Sequence, residues 1–481
     1  MRNSWFKNHD WFMTLAIFML LLVGVIVIYS ATFTAETLIE GAGTVNRQLV
    51  FIILGFAVYF LFSRIDPTYF RYFPIQIITF LTTISLLIYV WLYGDPIRNT
   101  NRWIEWGFIR IQPSEYTKIT LILLNSVILS KILKIEVTED IDWGEIWKKK
   151  SLSDKLSNFL KNFTSLYPLF YHYGIAILLS AVCIGLILVE PALGNASITA
   201  LICMAMYLIS YPNQKHLFGQ IFIFIISINI IGNFVNFGFL YDKIGFSLII
   251  GNLDILILFL SLIIIIFILH FLKLRFIPVL FAVIAGISSF LVVNHVWNNV
   301  LKDYQKQRIE VFFSPEDDPQ GAGWQLRQAK IAIGSGRIFG KGFLQGSQSK
   351  LRYLPEAYSD FIFAAFCEEF GLIGAVFILA LYFFLLLRII KSAKSANNQY
   401  ESLICFGVAV MILVHVFINM GMNMGILPIT GIPLPLISYG GSSVMVTMMA
   451  MGLVQAVNMN RDNVDIQESL VVTSKSRIFE N

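Results

Sequence analysis

Runs of about twenty apolar residues, repeated along the whole chain, decide what this sequence can fold into. A hydrocarbon core about 30 Å thick is crossed by roughly 20 residues of helix. Such stretches occur at 11–31, 47–63, 73–93, 114–133, 173–190 and 195–211. They continue at 217–237, 246–270, 276–297, 361–387, 402–425 and 438–458, giving about twelve spans. Lipid offers no partner to backbone polar groups, so only helices or closed barrels can cross it, and these run lengths select helices. The expected class is an all-α polytopic membrane protein. The 481 residues have a mean hydropathy of +0.72 and 14% charged residues, against about 25% in soluble domains. The net charge of +5 is small, and no nucleic-acid partner is expected. The four cysteines lie far apart inside apolar segments, with neither zinc spacing nor a disulfide framework.

Basic residues in the connections set the orientation. With Arg2 and Lys7 cytoplasmic, parity puts inside Arg64 and Arg71, the lysines between Lys131 and Lys161, and the group Arg388, Lys391 and Lys394. Residues 1–460 are then one transmembrane domain with both termini cytoplasmic, and 461–481 is a polar tail. The cytoplasmic loop 131–172 carries Leu152, Leu156, Phe159, Leu160 and Phe163 at helical spacing among lysines, the pattern of an amphipathic helix. Residues 298–360 mix glycines, charges, amides and aromatics, and are expected to fold as an extracytoplasmic cap.

Ionisable groups at membrane depth are functional candidates by default. Glu115 and Lys118, in the run QPSEYTK, share one helix face; they are either a self-neutralising pair or a site pair. Arg47 either snorkels to the interface or meets a phosphate. Arg102 and Trp103 put a cation beside an aromatic at the outer boundary. His415, Asn419 and Asn423 form a polar stripe suited to interhelical hydrogen bonding. Of Glu368 and Glu369, at least one should face a cavity or a cation. Two breaks interrupt the apolar runs, at 190–195 and in GILPITGIPLPLISYGGSS, where Gly440 and Gly441 would let backbone approach a ligand closely.

In order along the chain these motifs are RQL at Arg47, NRWI at Asn101, QPSE with Lys118, and YQKQRI from Tyr304. After them come AIGSGRIFGKGFLQGSQ from Ala332, LPEAYSDFIFAAFCEEFG from Leu354 and PITGIPLPLISYGGSS from Pro428. Together they resemble the SEDS membrane glycosyltransferases of bacteria, and GKGFLQGSQ resembles the RodA-like branch. The resemblance implies a SEDS-type helical bundle of ten spans, extended here by an extra hairpin in 217–272. It implies polymerisation of lipid II into β-1,4 glycan strands outside the cytoplasmic membrane during cell elongation. The implied partners are a class B penicillin-binding protein and the elongation machinery.

Such a transfer needs a carboxylate base for the acceptor hydroxyl and cations for the diphosphate leaving group. The resemblance assigns diphosphate and substrate binding to Arg47, Arg102, Trp103, Asp360, Ser438, Gly440 and Gly441, with Lys118 and Glu115 in the catalytic set. The leaving group would also suit a divalent cation, Mg or Mn, although no ligand cluster in the sequence demands one and the metal stays unknown. The family's base is expected in a Pro-Asp-Leu-Gly turn, where this chain has Pro191-Ala192-Leu193-Gly194. Ala192 cannot accept a proton, which implies an impaired or non-catalytic chain, or replacement by Glu190. A flippase for lipid-linked sugars and a non-catalytic scaffold for the transpeptidase are the other readings of the same features.

Overall fold

The computed structural model describes residues 8–32, 38–97, 100–106, 109–133, 152–190, 192–210, 303–314, 318, 321–351, 353–355 and 357–461. The expected spans at 217–237, 246–270 and 276–297, the extra hairpin and the tail lie outside them. The chain divides into two units, one of Met1–Ser130, Ala176–Met206 and Pro315–Asn481, the other of Lys131–Ile175 and Tyr207–Ser314. The candidate site lies within the first.

The apolar runs are helices. In order they are α1 (Trp11–Thr32), α2 (Leu38–Ser63), α3 (Phe73–Tyr93), α4 (Pro113–Ile132), α5 (Leu152–Val189) and α6 (Leu193–Ile209). After these come α7 (Asp303–Phe313), α8 (Ala322–Gly336), the short α9 (Ser347–Lys350), α10 (Ile362–Lys394), α11 (Gln399–Met424) and α12 (Gly441–Asn460). Among the described residues seven helices are long and apolar enough to cross a membrane, and α6 is a shorter apolar helix. The chain is a polytopic helical membrane protein. Two boundaries differ from expectation. The second helix begins at Leu38, and the expected amphipathic stretch from Leu152 runs without a break into the following span as α5.

One connection is not helical. Between α3 and α4 lie three short antiparallel strands, β1 (Asp95–Ile97), β2 (Thr100–Trp106) and β3 (Ile109–Ile111), in the order β1-β2-β3. Arg102 and Trp103 sit on the middle strand. Glu105 and Arg110 are paired across β2 and β3 and joined by an exposed ion pair of 2.7 Å.

The first unit exposes apolar side chains, as lipid solvation allows, and buries polar ones among an apolar core. Ile53, Phe73 and Phe417 are each more than 60% exposed. Meanwhile Gln48, Ser114, Lys118, Asn125, Asn419 and Asn423 are almost completely buried. A polar side chain in such a place is tolerated when a neighbouring helix supplies its hydrogen bond. At the far end of the bundle Asp10 caps Met13 N at 3.0 Å and pairs with Arg388 Nη2 at 2.7 Å, tying α1 to the end of α10.

Helix α10 is kinked at Gly371 (φ 64°, ψ −161°). The break frees backbone groups that helix geometry would have paired, and the cap segment after α8 takes them up. Lys341 N and Gly342 N donate to the carbonyls of Glu368 and Glu369, each at 3.0 Å. Leu372 N and Ile373 N donate to the carbonyls of Arg337 and Ile338, at 2.9 and 3.1 Å. The segments touch at backbone distance, so a β-carbon at Gly371 would run into Gly340 N and Ile338 O. This explains why AIGSGRIFGKG and EEFG occur in one chain. Each completes the other's backbone.

The same segment holds Arg337 at φ 49°, ψ −137°, a conformation that costs a non-glycine residue about 1–3 kcal/mol.

Candidate functional site

Two polar hubs organise the first unit, and most of the motifs meet at one or the other. The first is the turn before α12. Ser438 Oγ donates to Ser359 O at 2.7 Å and accepts from Leu434 N at 2.8 Å. Tyr439 N donates to Tyr358 O at 3.0 Å. From α2, Gln48 accepts from Gly440 N at 3.3 Å. From β3, the carbonyl of Arg110 accepts from Ser442 Oγ at 2.6 Å, and Ser442 Oγ accepts in turn from Gln112 N at 3.2 Å. RQL, QPSE, YSD and SYGGSS are thus brought to one place by hydrogen bonds that leave little freedom.

The second hub is the Lys118 ammonium, which is completely buried on α4. It lies 2.9 Å from Glu115 Oε1, 2.8 Å from His415 Nε2 and 3.4 Å from Asn195 Oδ1. His415 Nδ1 is 2.7 Å from the carbonyl of Met411; donating its proton there leaves Nε2 as the acceptor for Lys118. Asn195 in turn donates to Ser114 Oγ at 2.9 Å. An ammonium has three donors, and all three are used on α4, α6 and α11.

The hubs are joined along α11. One turn beyond His415, Asn419 donates to Asp360 O at 3.0 Å and Ile432 O at 2.7 Å. Asn423 donates to Asp360 O at 3.1 Å and accepts from Ala364 N at 3.1 Å. The polar stripe is used for interhelical and helix-to-turn bonding.

Each expected site residue has a definite environment here. Lys118 grips the protein, so a diphosphate could reach it only by displacing one of three partners. Ser438 is spent on backbone at both ends of its hydroxyl. Gly441 makes room for protein: a β-carbon there would stand 2.8 Å from the Phe51 ring of α2. The Asp360 carbonyl accepts from Asn419 and Asn423, and its carboxylate accepts from Ser359 Oγ at 3.1 Å. Arg47 is exposed, and the neighbouring Gln48 anchors the turn. Arg102 and Trp103 are half-buried. Glu368 does meet a cation, with Lys341 Nζ at 2.6 Å and Ser347 N at 2.8 Å. Glu369 accepts from Ser30 on α1.

Around the second break, the Ala192 methyl packs among Leu87, Ile187 and Ala196 in an apolar cluster. Glu190, just past the span that ends at Val189, is buried with both carboxyl oxygens lacking a hydrogen bond. Burial pushes its carboxyl up to about 8, against the opposing pull of Arg102. In the cap, Asp318 is half-buried, and its two oxygens accept from Gly321 N at 2.9 Å and Ala322 N at 2.8 Å at the start of α8. Sequence reasoning passed over Asn195, Gln48 and Asp318. Their signals were a buried amide in LGNAS, the glutamine of RQL, and an acid three residues before a glycine-rich helix start.

Among the described residues no group of three or more His, Cys, Asp or Glu side chains is gathered to hold a metal ion. Glu115, the expected contributor, already holds Lys118. Among the described residues these side chains form no ligand set.

The chain matches the FtsW, RodA and SpoVE family model, described as cell cycle protein, over residues 11–239 and 241–463. It belongs to this family. It is 29% identical over 461 residues to the peptidoglycan glycosyltransferase MrdB of Escherichia coli (strain K12), covering 96% of each chain. It is also 29% identical over 473 residues to the peptidoglycan glycosyltransferase RodA of Treponema pallidum (strain Nichols), covering 95% of this chain and 99% of that one. The fold is similar to a chain solved in work on structural coordination of polymerization and crosslinking by a peptidoglycan synthase complex. There the TM-score is 0.60, at 21% identity over 94% of this chain and 98% of that one. The Thermus thermophilus rod shape determining protein RodA superposes with a TM-score of 0.52, at 19% identity over 94% and 97% of the two chains. At these identities the structures speak for the fold, while the family model and the curated relatives carry the membership.

Proposed function

We propose that this chain is a peptidoglycan glycosyltransferase that polymerises lipid II at the outer face of a bacterial cytoplasmic membrane, with both termini inside. The observation that carries the reading is the convergence of the family's motifs on two adjoining polar hubs.

The chemistry divides among the residues by their freedom. Arg47, which is exposed, and Arg102, half-buried on β2, bind the diphosphate and stabilise the charge that develops as it leaves. Trp103 follows Arg102 on β2. Lys118, Glu115, His415 and Asn195 hold α4, α6 and α11 in one arrangement. The proton of the acceptor hydroxyl goes to a carboxylate. Residue 192 offers none, and Glu190 is enclosed by the protein. Asp318 is open on one side and fixed on the other by two backbone N–H groups, which is the geometry a general base needs. In the balanced step the acceptor oxygen attacks the anomeric carbon, the bond to the diphosphate breaks, and undecaprenyl diphosphate leaves with the electron pair.

The relative associated with a synthase complex supports a transpeptidase partner of the class B penicillin-binding type for this chain as well. Purified chain incubated with lipid II should yield glycan strands on a gel, and Asp318→Asn should yield none. Lipid II left intact by the unaltered chain would refute the proposal.

A further inference from the structure

Glu190 is a buried titratable group that neither hub uses. It stands where α5 ends, 1% exposed, and among the described residues neither carboxyl oxygen has a hydrogen bond. Other buried polar side chains of this unit join elements together. Asn195 ties α6 to Ser114 and Lys118 on α4, and Asn419 ties α11 to the carbonyls of Asp360 and Ile432. Glu190 makes no such tie. The turn after it is closed by backbone, with Glu190 N on Leu186 O at 3.1 Å and Ala192 N on Ile187 O at 3.2 Å. A buried carboxyl without donors weakens a fold, because no hydrogen bond offsets its desolvation. Stability does not account for an acid at this position.

Its charged neighbour says what it can do. Among the described residues Arg102, on the middle strand β2, is the charged group that acts on Glu190. Lys118 and Glu115 do not act on it and are paired with each other. Arg102 pulls the carboxyl toward ionisation, and burial outweighs that pull, so the group stays neutral until about pH 8. A diphosphate on Arg102 and an ionised Glu190 beside it would be anions sharing one cation, and like charges at such range oppose each other.

We propose that Glu190 is a positioning residue of the diphosphate subsite and acts through Arg102. Neutral, it leaves the guanidinium to the lipid diphosphate. Ionised, it competes for that guanidinium and loosens the diphosphate. This rests on the assignment of Arg102 to the diphosphate made above, and adds that binding of the lipid diphosphate is coupled to a proton held at Glu190.

Linkage gives the sign. The chain with diphosphate bound keeps a proton that the empty chain loses above about pH 8. Affinity then falls by about tenfold, at most, for each further pH unit.

The test is binding of undecaprenyl diphosphate to the full chain in detergent, measured by titration calorimetry at pH 7 and pH 9, a readout that needs no turnover. Comparing chains at the same pH cancels the titration of the ligand itself. Between those values the unaltered chain should lose about tenfold more affinity than Glu190→Gln, whose side chain stays neutral throughout. Arg102→Gln should bind weakly at both values, and adding Glu190→Gln to it should change nothing at pH 9. Equal losses in the unaltered chain and Glu190→Gln overturn the proposal. So does a gain from Glu190→Gln at pH 9 that persists in the Arg102→Gln background, the mark of a carboxyl that acts on the fold alone. An unaltered chain that binds undecaprenyl diphosphate no better than undecaprenol at pH 7 overturns it too. Glycan formation from lipid II judges the polymerase reading separately.

Discussion

Lys118 Nζ lies 2.8 Å from His415 Nε2, and the imidazole is held in the accepting tautomer by its bond to the Met411 carbonyl. A histidine proton at Nε2 would instead face the ammonium. The contact makes the eleventh helix a structural partner of the fourth. Replacing His415 by leucine leaves one ammonium N–H buried without an acceptor, at a cost of about 1–3 kcal/mol. His415→Gln, which keeps an acceptor, should recover part of the loss in thermal melts of the purified chain.

The ion pair beneath that contact makes a second prediction. Removing only one member of a buried pair strands the other charge, and costs about 3–5 kcal/mol. Glu115→Gln and Lys118→Met should each lower the melting temperature, and the double variant should melt above Lys118→Met alone. Additive losses in the double variant would show that the two charges do not depend on each other.

Gly371 tests the coupling between cap and kink. Gly371→Ala adds a β-carbon where Gly340 N and Ile338 O stand, at a positive φ. It should prevent accumulation of folded chain in the membrane. Gly334→Ala, where a β-carbon meets nothing within 4 Å, is the control and should accumulate normally.

Much of this was readable in advance, for a physical reason. Span lengths follow from the thickness of the bilayer, so α1, α3, α10, α11 and α12 fall where the apolar runs lie. Glu115 and Lys118 were recognisable because charge is rare at that depth. Their third and fourth partners were not, since His415 and Asn195 are far away in sequence and nothing local marks which helices will touch. The neighbour of Gly441 was hidden for a related reason. Glycine announces a close approach without saying whether ligand or protein fills the space, and here it is Phe51. The strands at 95–111 were hidden because a short interfacial connection carries too few residues to show a period.

Glu190 gives a pH-dependent prediction. Its carboxyl titrates near 4.5 when solvated and near 8 in the folded chain. Between those values the folded state holds a proton that the unfolded state has lost, so stability declines as pH rises through the window. Glu190→Gln removes the titration. The variant should gain melting temperature relative to the unaltered chain as pH goes from 5 to 9, and a constant difference would refute the assignment.

The central claim is that this chain is a working lipid II polymerase whose proton acceptor is not at residue 192. The direct measurement compares glycan formation from lipid II by the unaltered chain, Asp318→Asn and Ala192→Asp, each with its transpeptidase partner present. The account predicts strands from the unaltered chain and none from Asp318→Asn. An inert unaltered chain, with strands appearing only from Ala192→Asp, would contradict it.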